Sequence, residues 1–248
     1  MSAGNKVINA TTVKLGIYEE TEDTQLIGML GQVKELEDGR KFRLCLNGAG
    51  TLIPGKLVQG VAQDGYDDAL VVNTAAAVGD KEIEVTVTAG HGGHDENALK
   101  DGFLVVNKGS GDIGCFYKIK GNDAMVTATT ATIFLYDPLT TALAATTNQV
   151  SVCKNPYKNV VIDANSGPLA GVPIINVTAA HYFWAQFDGI GPAFATAAAI
   201  SAGDYLLHAA GLVYLSATTA VDAEKRVAMA VTAAASGDAL IVKWLAIG

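Results

Sequence analysis

His181-Tyr182-Phe183-Trp184-Ala185-Gln186-Phe187-Asp188-Gly189 opens the last third of the chain, and the runs after it decide the fold. An Ala-rich segment leads to Ala202-Gly203-Asp204 and then Tyr205-Leu206-Leu207. Ala210-Gly211 precedes Leu212-Val213-Tyr214-Leu215. Val227-Ala228-Met229-Ala230-Val231 and Ser236-Gly237-Asp238-Ala239-Leu240-Ile241-Val242-Lys243-Trp244-Leu245 follow. Short apolar runs separated by Gly-Asp pairs read as strands joined by tight turns, because Gly supplies positive φ and Asp bonds its own backbone. Aromatics at 182–187 suit a pleated, half-buried surface. In 227–231, Val227, Met229 and Val231 point one way and Ala228 and Ala230 the other, a period of two. Lys243 marks a face or edge that meets water. Residues 222–235 are also rich in helix formers, but their β-branched residues alternate, which favours strand.

Working back toward the N-terminus, the same grammar recurs. Glu37-Asp38-Gly39-Arg40 lies between 26–36 and Lys41-Phe42-Arg43-Leu44-Cys45-Leu46, a hairpin signal. Asn47-Gly48-Ala49-Gly50 is a second turn, followed by 51–61 with Pro54-Gly55 inside it. Gly48-Ala49-Gly50 is a plain turn and not a phosphate loop, since a further strand follows it in place of a helix. Strands are expected at 81–87, 103–107, 115–120, 131–135 and 149–153, and 154–159 reads as a linker. Ala triplets precede Gly79-Asp80, Gly203-Asp204 and Gly237-Asp238. Their spacing is irregular, so shared turn chemistry accounts for them without a solenoid.

The expectation is an all-β protein with very little helix, built as two or three small sandwich- or barrel-like domains. The boundaries read as an N-terminal arm and hairpin region at 1–65, a middle β-domain at 66–158, and a C-terminal barrel-like or β-tulip domain at 159–248. With 248 residues, the chain is long enough for this.

Composition removes several classes of function. A net charge of −8 argues against a nucleic-acid groove, which needs clustered Lys and Arg. No apolar run approaches the ~20 residues of a membrane-crossing helix. The start, Met1 to Lys6, has no signal-peptide core. The three cysteines, Cys45, Cys115 and Cys153, are widely spaced and read as reduced, buried side chains of a protein made in a cytoplasm. Apolar residues make up 50% of the chain and charged ones only 17%, with Ala and Val prominent, so small side chains are buried in thin sheets or against other subunits.

Reactive groups are sparse. There is no Gly-x-Ser-x-Gly, no cysteine pair at redox or zinc spacing, and no Rossmann or P-loop pattern. His91, His94, Asp95 and Glu96 form the one plausible metal cluster, but two glycines between the histidines favour a polar turn. Asp67 and Asp68 sit in a Gly-rich turn, where solvation is the default. His181 and His208 read as strand residues without an obvious partner. No catalytic residue, cofactor or metal is expected.

Four segments carry a resemblance. They are Glu37 to Arg43 with Asn47-Gly48-Ala49-Gly50 and Pro54-Gly55-Lys56-Leu57; Asp101 to Gly121; Asn155 to Val161; and Ala179 to Gly189 with the Gly-Asp strands after it. In these the chain resembles the capsid decoration (cement) proteins of tailed double-stranded-DNA bacteriophages, including those of marine phages. The resemblance implies a structural protein on the outer surface of the virion, made in the host bacterial cytoplasm. It implies a homotrimer, or occupancy of local three-fold positions, that bridges major capsid protein subunits, with no nucleic acid or membrane as partner. Weak contacts would add up over many copies on a symmetric lattice. The expected contacts lie in the N-terminal arm and the 37–58 hairpin, at Asp38, Arg40, Lys41, Arg43 and Lys56. Alternatives are another virion component (head fibre, tail or minor capsid protein), a carbohydrate-binding β-module using Tyr182 and Trp184, or a metalloenzyme at His91 and His94.

Overall fold

The computed structural model describes residues 15–109, 113–196, 199–215 and 226–247. The protein is all-β; a single turn of 3-10 helix at Gly65–Asp67 is the helical content among the described residues. The first fourteen residues of the expected arm, and 222–225 of the segment weighed between helix and strand, lie outside the described residues. The rest of that segment contains the strand Ala228–Ala230.

The chain divides into two compact units where three segments were expected. Residues 1–61 and 156–248 form one unit together, and 62–155 form the other. The N-terminal and C-terminal segments join through direct strand pairing. Along the chain the first unit contains β1 (Val33–Glu35), β2 (Lys41–Leu46), β3 (Val58–Gln59), β10 (Val161–Ile162), β11 (Leu169–Pro173), β12 (Tyr182–Phe194), β13 (Tyr205–Ala209), β14 (Leu212–Leu215), β15 (Ala228–Ala230) and β16 (Ala239–Trp244). The second contains β4 (Leu70–Val72), β5 (Glu82–Thr86), β6 (Phe103–Lys108), β7 (Phe116–Asn122), β8 (Thr130–Leu135) and β9 (Gln149–Cys153).

In the first unit the path is β10-β3-β11-β12-β16-β15-β13-β14, with β2 also on β12 and β1 on β2. Strand β12, 13 residues long, is the pivot. Its first half pairs with β2, from Tyr182↔Leu46 to Asp188↔Lys41. Its second half pairs with β16, from Gly189↔Trp244 to Phe194↔Ala239. The aromatic stretch is not half-buried as its sequence suggests. Phe183, Trp184, Ala185, Gln186 and Phe187 are all buried. Phe183 and Ala185 pack with Cys45, Val58 and Val177, while Trp184 packs with Leu15, Phe42 and Leu44. A strand covered on both faces can be apolar without alternation. Leu15 also closes the Trp184 side through its carbonyl, which accepts from Trp184 Nε1 at 3.0 Å.

The hairpin predicted from Asp38-Gly39 is present: Val33↔Arg43 and Glu35↔Lys41 pair, and Gly39 takes φ +83°. The three Gly-Asp turns share one geometry. Asp80, Asp204 and Asp238 each accept a backbone N–H three residues back, from Ala77, Ser201 and Ala235. The preceding glycines take φ +96°, +92° and +81°. L-residues with a Cβ avoid that region, so Gly is required.

The second unit is a closed antiparallel barrel, β4-β5-β8-β7-β6-β9. Alternation decides its inside: Leu104 and Val106, Ile133 and Leu135, Val150 and Val152 point in. Phe103, Val105, Phe116 and Ser151 point out.

Candidate functional site

The five residues predicted to make contacts are on the first unit. Arg40 Nε bonds Asp38 Oδ2 at 2.7 Å, an exposed pair that also holds the Asp38 carboxyl below its usual range, chiefly through the Arg40 backbone N–H. Lys41 lies 3.7 Å from Asp188 and 4.0 Å from Glu35. Arg43 is a packing residue. Its guanidinium lies 4.3 Å over the Phe187 ring and 4.7 Å over the Tyr157 ring, and Nη1 donates to Tyr157 Oη at 2.5 Å. Lys56 is half-buried beside Gly211. The structure therefore gathers Asp38, Arg40 and Lys41 on the hairpin and spends Arg43 internally.

A more elaborate arrangement stands in the barrel unit, around the turn Gln63–Asp68. Asp64 caps the 3-10 turn by accepting the Tyr66 N–H at 3.0 Å. That bond is the main cause of a carboxyl held below its ordinary range. Partial desolvation opposes it, and the Gly92 N–H and the nearby His91 and His94 reinforce it. Asp67, expected to be solvated, is buried instead. Its Oδ1 lies 3.0 Å from His91 Nε2 and 2.7 Å from His94 Nε2, with all three side chains at most 3% exposed. The two imidazoles meet edge to face at 5.0 Å.

This trio is a two-His, one-carboxylate set with ligand atoms within 4.8 Å of one another. It replaces the His91, His94, Asp95, Glu96 grouping read from the sequence: Asp67 supplies the carboxylate. The tautomer of His91 decides the chemistry. Gly93 N–H donates to His91 Nδ1 at 2.9 Å, so Nδ1 offers its lone pair and the proton sits on Nε2. His91 Nε2 then donates to Asp67 and has no lone pair for a metal. Metal-bound histidines show the reverse, with the far ring nitrogen donating outward. The trio is thus a hydrogen-bonded knot that ties the 63–68 turn to the 88–95 loop. Thr127 Oγ1 donating to the His91 carbonyl at 2.7 Å, and the His94–Met125 backbone bridge, hold that loop in turn.

With Asp67 anchored inside, Asp64 and Asp68 face outward. Asp68 Oδ1 accepts from Ser151 Oγ and from Asn107 Nδ2, the latter at 3.3 Å. Beside them, Phe103 and Phe116 stack at 5.0 Å with ring planes 18° apart. Phe116 is 63% exposed, which is unusual for a ring on a barrel exterior. A cavity of about 430 Å³ runs between the turn and the rings, lined chiefly by Gln63, Asp64, Asp68, Phe103, Val105 and Phe116.

The first unit has its own His–Asp pair. His208, which the sequence left without a partner, places Nδ1 2.7 Å from Oδ2 of buried Asp163, and Asp163 Oδ1 accepts the Asn165 N–H at 2.9 Å. His208 lines a cavity of about 610 Å³ together with Tyr214 and Arg226. A carboxylate-oriented imidazole supplies two of the three members of a nucleophilic triad, but no Ser, Thr or Cys lines this cavity among the described residues.

Comparison with protein-family models, with curated proteins and with solved structures gave no match.

A third surface is apolar. Ile190, Lys243, Met229 and Tyr205 are successive cross-strand partners on β12, β16, β15 and β13, so they form one row on one face. Ile241, paired with Pro192, and Val231 extend it. Ile190, Tyr205, Val231 and Ile241 are between 41% and 52% exposed. The opposite face carries buried Ala228, Val242 and Trp244. Trp184, proposed from the sequence as half of a sugar platform, is 1% exposed and unavailable for stacking.

Proposed function

We propose that this chain is a structural virion protein of a tailed bacteriophage. In this reading it docks on the outer surface of the capsid, bridges major capsid protein subunits, and acts by shape and copy number with no reactive centre. The observation that supports it best is the largely apolar face of Ile190, Met229, Tyr205, Ile241 and Val231, with Lys243 standing between Ile190 and Met229, on a sheet whose other face is already packed. Several exposed apolar side chains clustered on one sheet face are what a protein-binding surface requires. The Asp38–Arg40 pair on the hairpin and the Lys41–Asp188 pair between the hairpin and β12 suit the rim of such a contact, setting register more than affinity. A homotrimer would present three copies of the face at a local three-fold axis and multiply a weak contact.

The test mixes the purified chain with empty capsids of a tailed phage and counts copies bound after sedimentation. Saturable binding at a fixed number per capsid is expected. Ile241→Asp should abolish it, because burying a charge in place of an apolar side chain forfeits ~1.5–3 kcal/mol of transfer free energy per copy before the desolvation cost. Absence of binding to any capsid, or undiminished binding by Ile241→Asp, overturns the reading.

A further inference from the structure

We propose that the cavity on the barrel unit, between the Gln63–Asp68 turn and the Phe103–Phe116 pair, binds an arginine side chain presented by a partner protein. Three features select that ligand. Asp64 and Asp68 stand on one wall, and the Asp64 carboxyl stays ionised because the Tyr66 and Gly92 N–H groups bond its charged form. An anion is repelled there. The other wall is aromatic and aliphatic, with Phe116 well exposed. A small hydrated cation gains little from such a wall. A guanidinium is flat, weakly hydrated and always charged; it stacks on a ring with its faces while its edge donates to carboxylates.

The same chain uses this pairing internally. Arg43 lies over Phe187 and Tyr157, and Arg226 lies 4.3 Å over the Tyr205 ring. In the barrel cavity the ring and the carboxylates are present and the guanidinium is left for a partner to supply. The cavity is also pre-organised. The His91–Asp67–His94 knot fixes the turn, and Ser151 with Asn107 fixes Asp68, so little ordering is left to the binding step. Gln63 at the rim donates to the Val152 carbonyl and is likewise held.

The experiment is an NMR titration of the full chain with the tripeptide Ac-Gly-Arg-Gly-NH2. Ac-Gly-Glu-Gly-NH2 and methyl β-glucoside serve as comparators. Saturable amide shifts confined to 63–68, 103–107, 116 and 151–153 are expected with the arginine peptide alone. The Asp64→Asn, Asp68→Asn double variant should weaken binding about tenfold, the sum of two exposed charge pairs. Phe116→Leu keeps the apolar volume and removes the ring, and it should weaken binding with the barrel's amide protection intact. No saturable shift, equal shifts with the glutamate peptide, binding of the glucoside in place of the arginine peptide, or unchanged affinity in both variants overturns the proposal. The probe is a soluble peptide read at one barrel, so the result is separable from whether the chain binds a capsid.

Discussion

Replacing Asp67 with Ala tests the knot that positions the cavity. In the native barrel, one carboxylate oxygen accepts from two imidazoles, at 3.0 and 2.7 Å, with all three groups out of water. Alanine leaves both N–H donors buried without an acceptor. Each orphaned donor costs about 1–3 kcal/mol, so the pair costs about 2–6 kcal/mol. Domain stabilities are typically about 5–15 kcal/mol, which makes this a large share. Asp67→Asn keeps a carbonyl oxygen in the same place and should cost clearly less. Both tryptophans, Trp184 and Trp244, lie outside residues 62–155, so their fluorescence reports on the other unit. Urea unfolding followed by barrel amide exchange should shift in Asp67→Ala, and the tryptophan transition should stay within error of the parent. A cost below about 1 kcal/mol would show that water replaces the carboxylate easily, contrary to a dry knot. A second outcome refutes the tautomer argument. If zinc stabilises the parent in a concentration-dependent way, by about 2.7 kcal/mol at a hundredfold excess over Kd, and Asp67→Ala abolishes that gain, the trio is a metal site. Nitrogen-15 spectra of His91 give the direct check: the proton should be on Nε2.

Two further predictions concern the frame. Gly203→Ala forces an L-residue to φ +92° while its Cβ meets no atom within 4 Å, so the cost is conformational alone, about 1–2 kcal/mol. Gly50→Ala, also in open space but without a positive φ, should be neutral or slightly stabilising, and chemical denaturation of the two variants side by side checks this. Burial pushes the Cys45 thiol up to about 12 from an ordinary 9.0, with Arg43 nearby opposing the shift only in part. Cys45 should therefore resist thiol reagents at pH 8 in the folded chain. The thiol binds its proton more tightly folded than unfolded, so its contribution is fully present below about pH 9 and is lost as pH rises toward 12. Stability that climbs over that window in the parent relative to Cys45→Ala would contradict this.

What could be read from the sequence is what short segments fix by themselves. The Asp38-Gly39 hairpin and the three Gly-Asp turns are decided within four residues, by positive φ and an Asp carboxylate reaching back three positions. The barrel strands follow from alternation over five or six residues, since one face of each is buried. The candidate site was not legible, because its members are joined only by folding. Asp67 meets His91 and His94 across separations of 24 and 27, and Asp163 meets His208 across 45. A polar residue in a Gly-rich turn looks solvated until the loop that covers it is known. The hint available was negative: His91-Gly92-Gly93-His94 lets a backbone N–H reach Nδ1, which already disfavours a metal. That the N-terminal and C-terminal segments form one unit was missed for the same reason, since β2 finds its partner in β12 far along the chain.

Strand β15 shows how composition and surface are linked. Its alternation was legible from Ala228 to Val231, with the alanines inside and Met229 and Val231 outside, but Val227, grouped with them in the sequence, is buried in the core beside Ala228 and Ala230. The inward residues of β15 are alanines because Trp244 pairs with Ala228 on the buried face. A large ring there leaves room only for methyl groups beside it, as close packing demands. Met229 of β15 and Val231 just after it are on the outer face, where Val231 bonds Ile241 of β16 and Lys243 separates Met229 from Ile190 of β12. With only 17% charged residues, the chain has little with which to cover that face. An apolar, well-ordered sheet face on an acidic protein is a liability in isolation and an asset in an assembly. In the proposed docking, the few paired charges would steer and the apolar side chains of this face would supply the affinity.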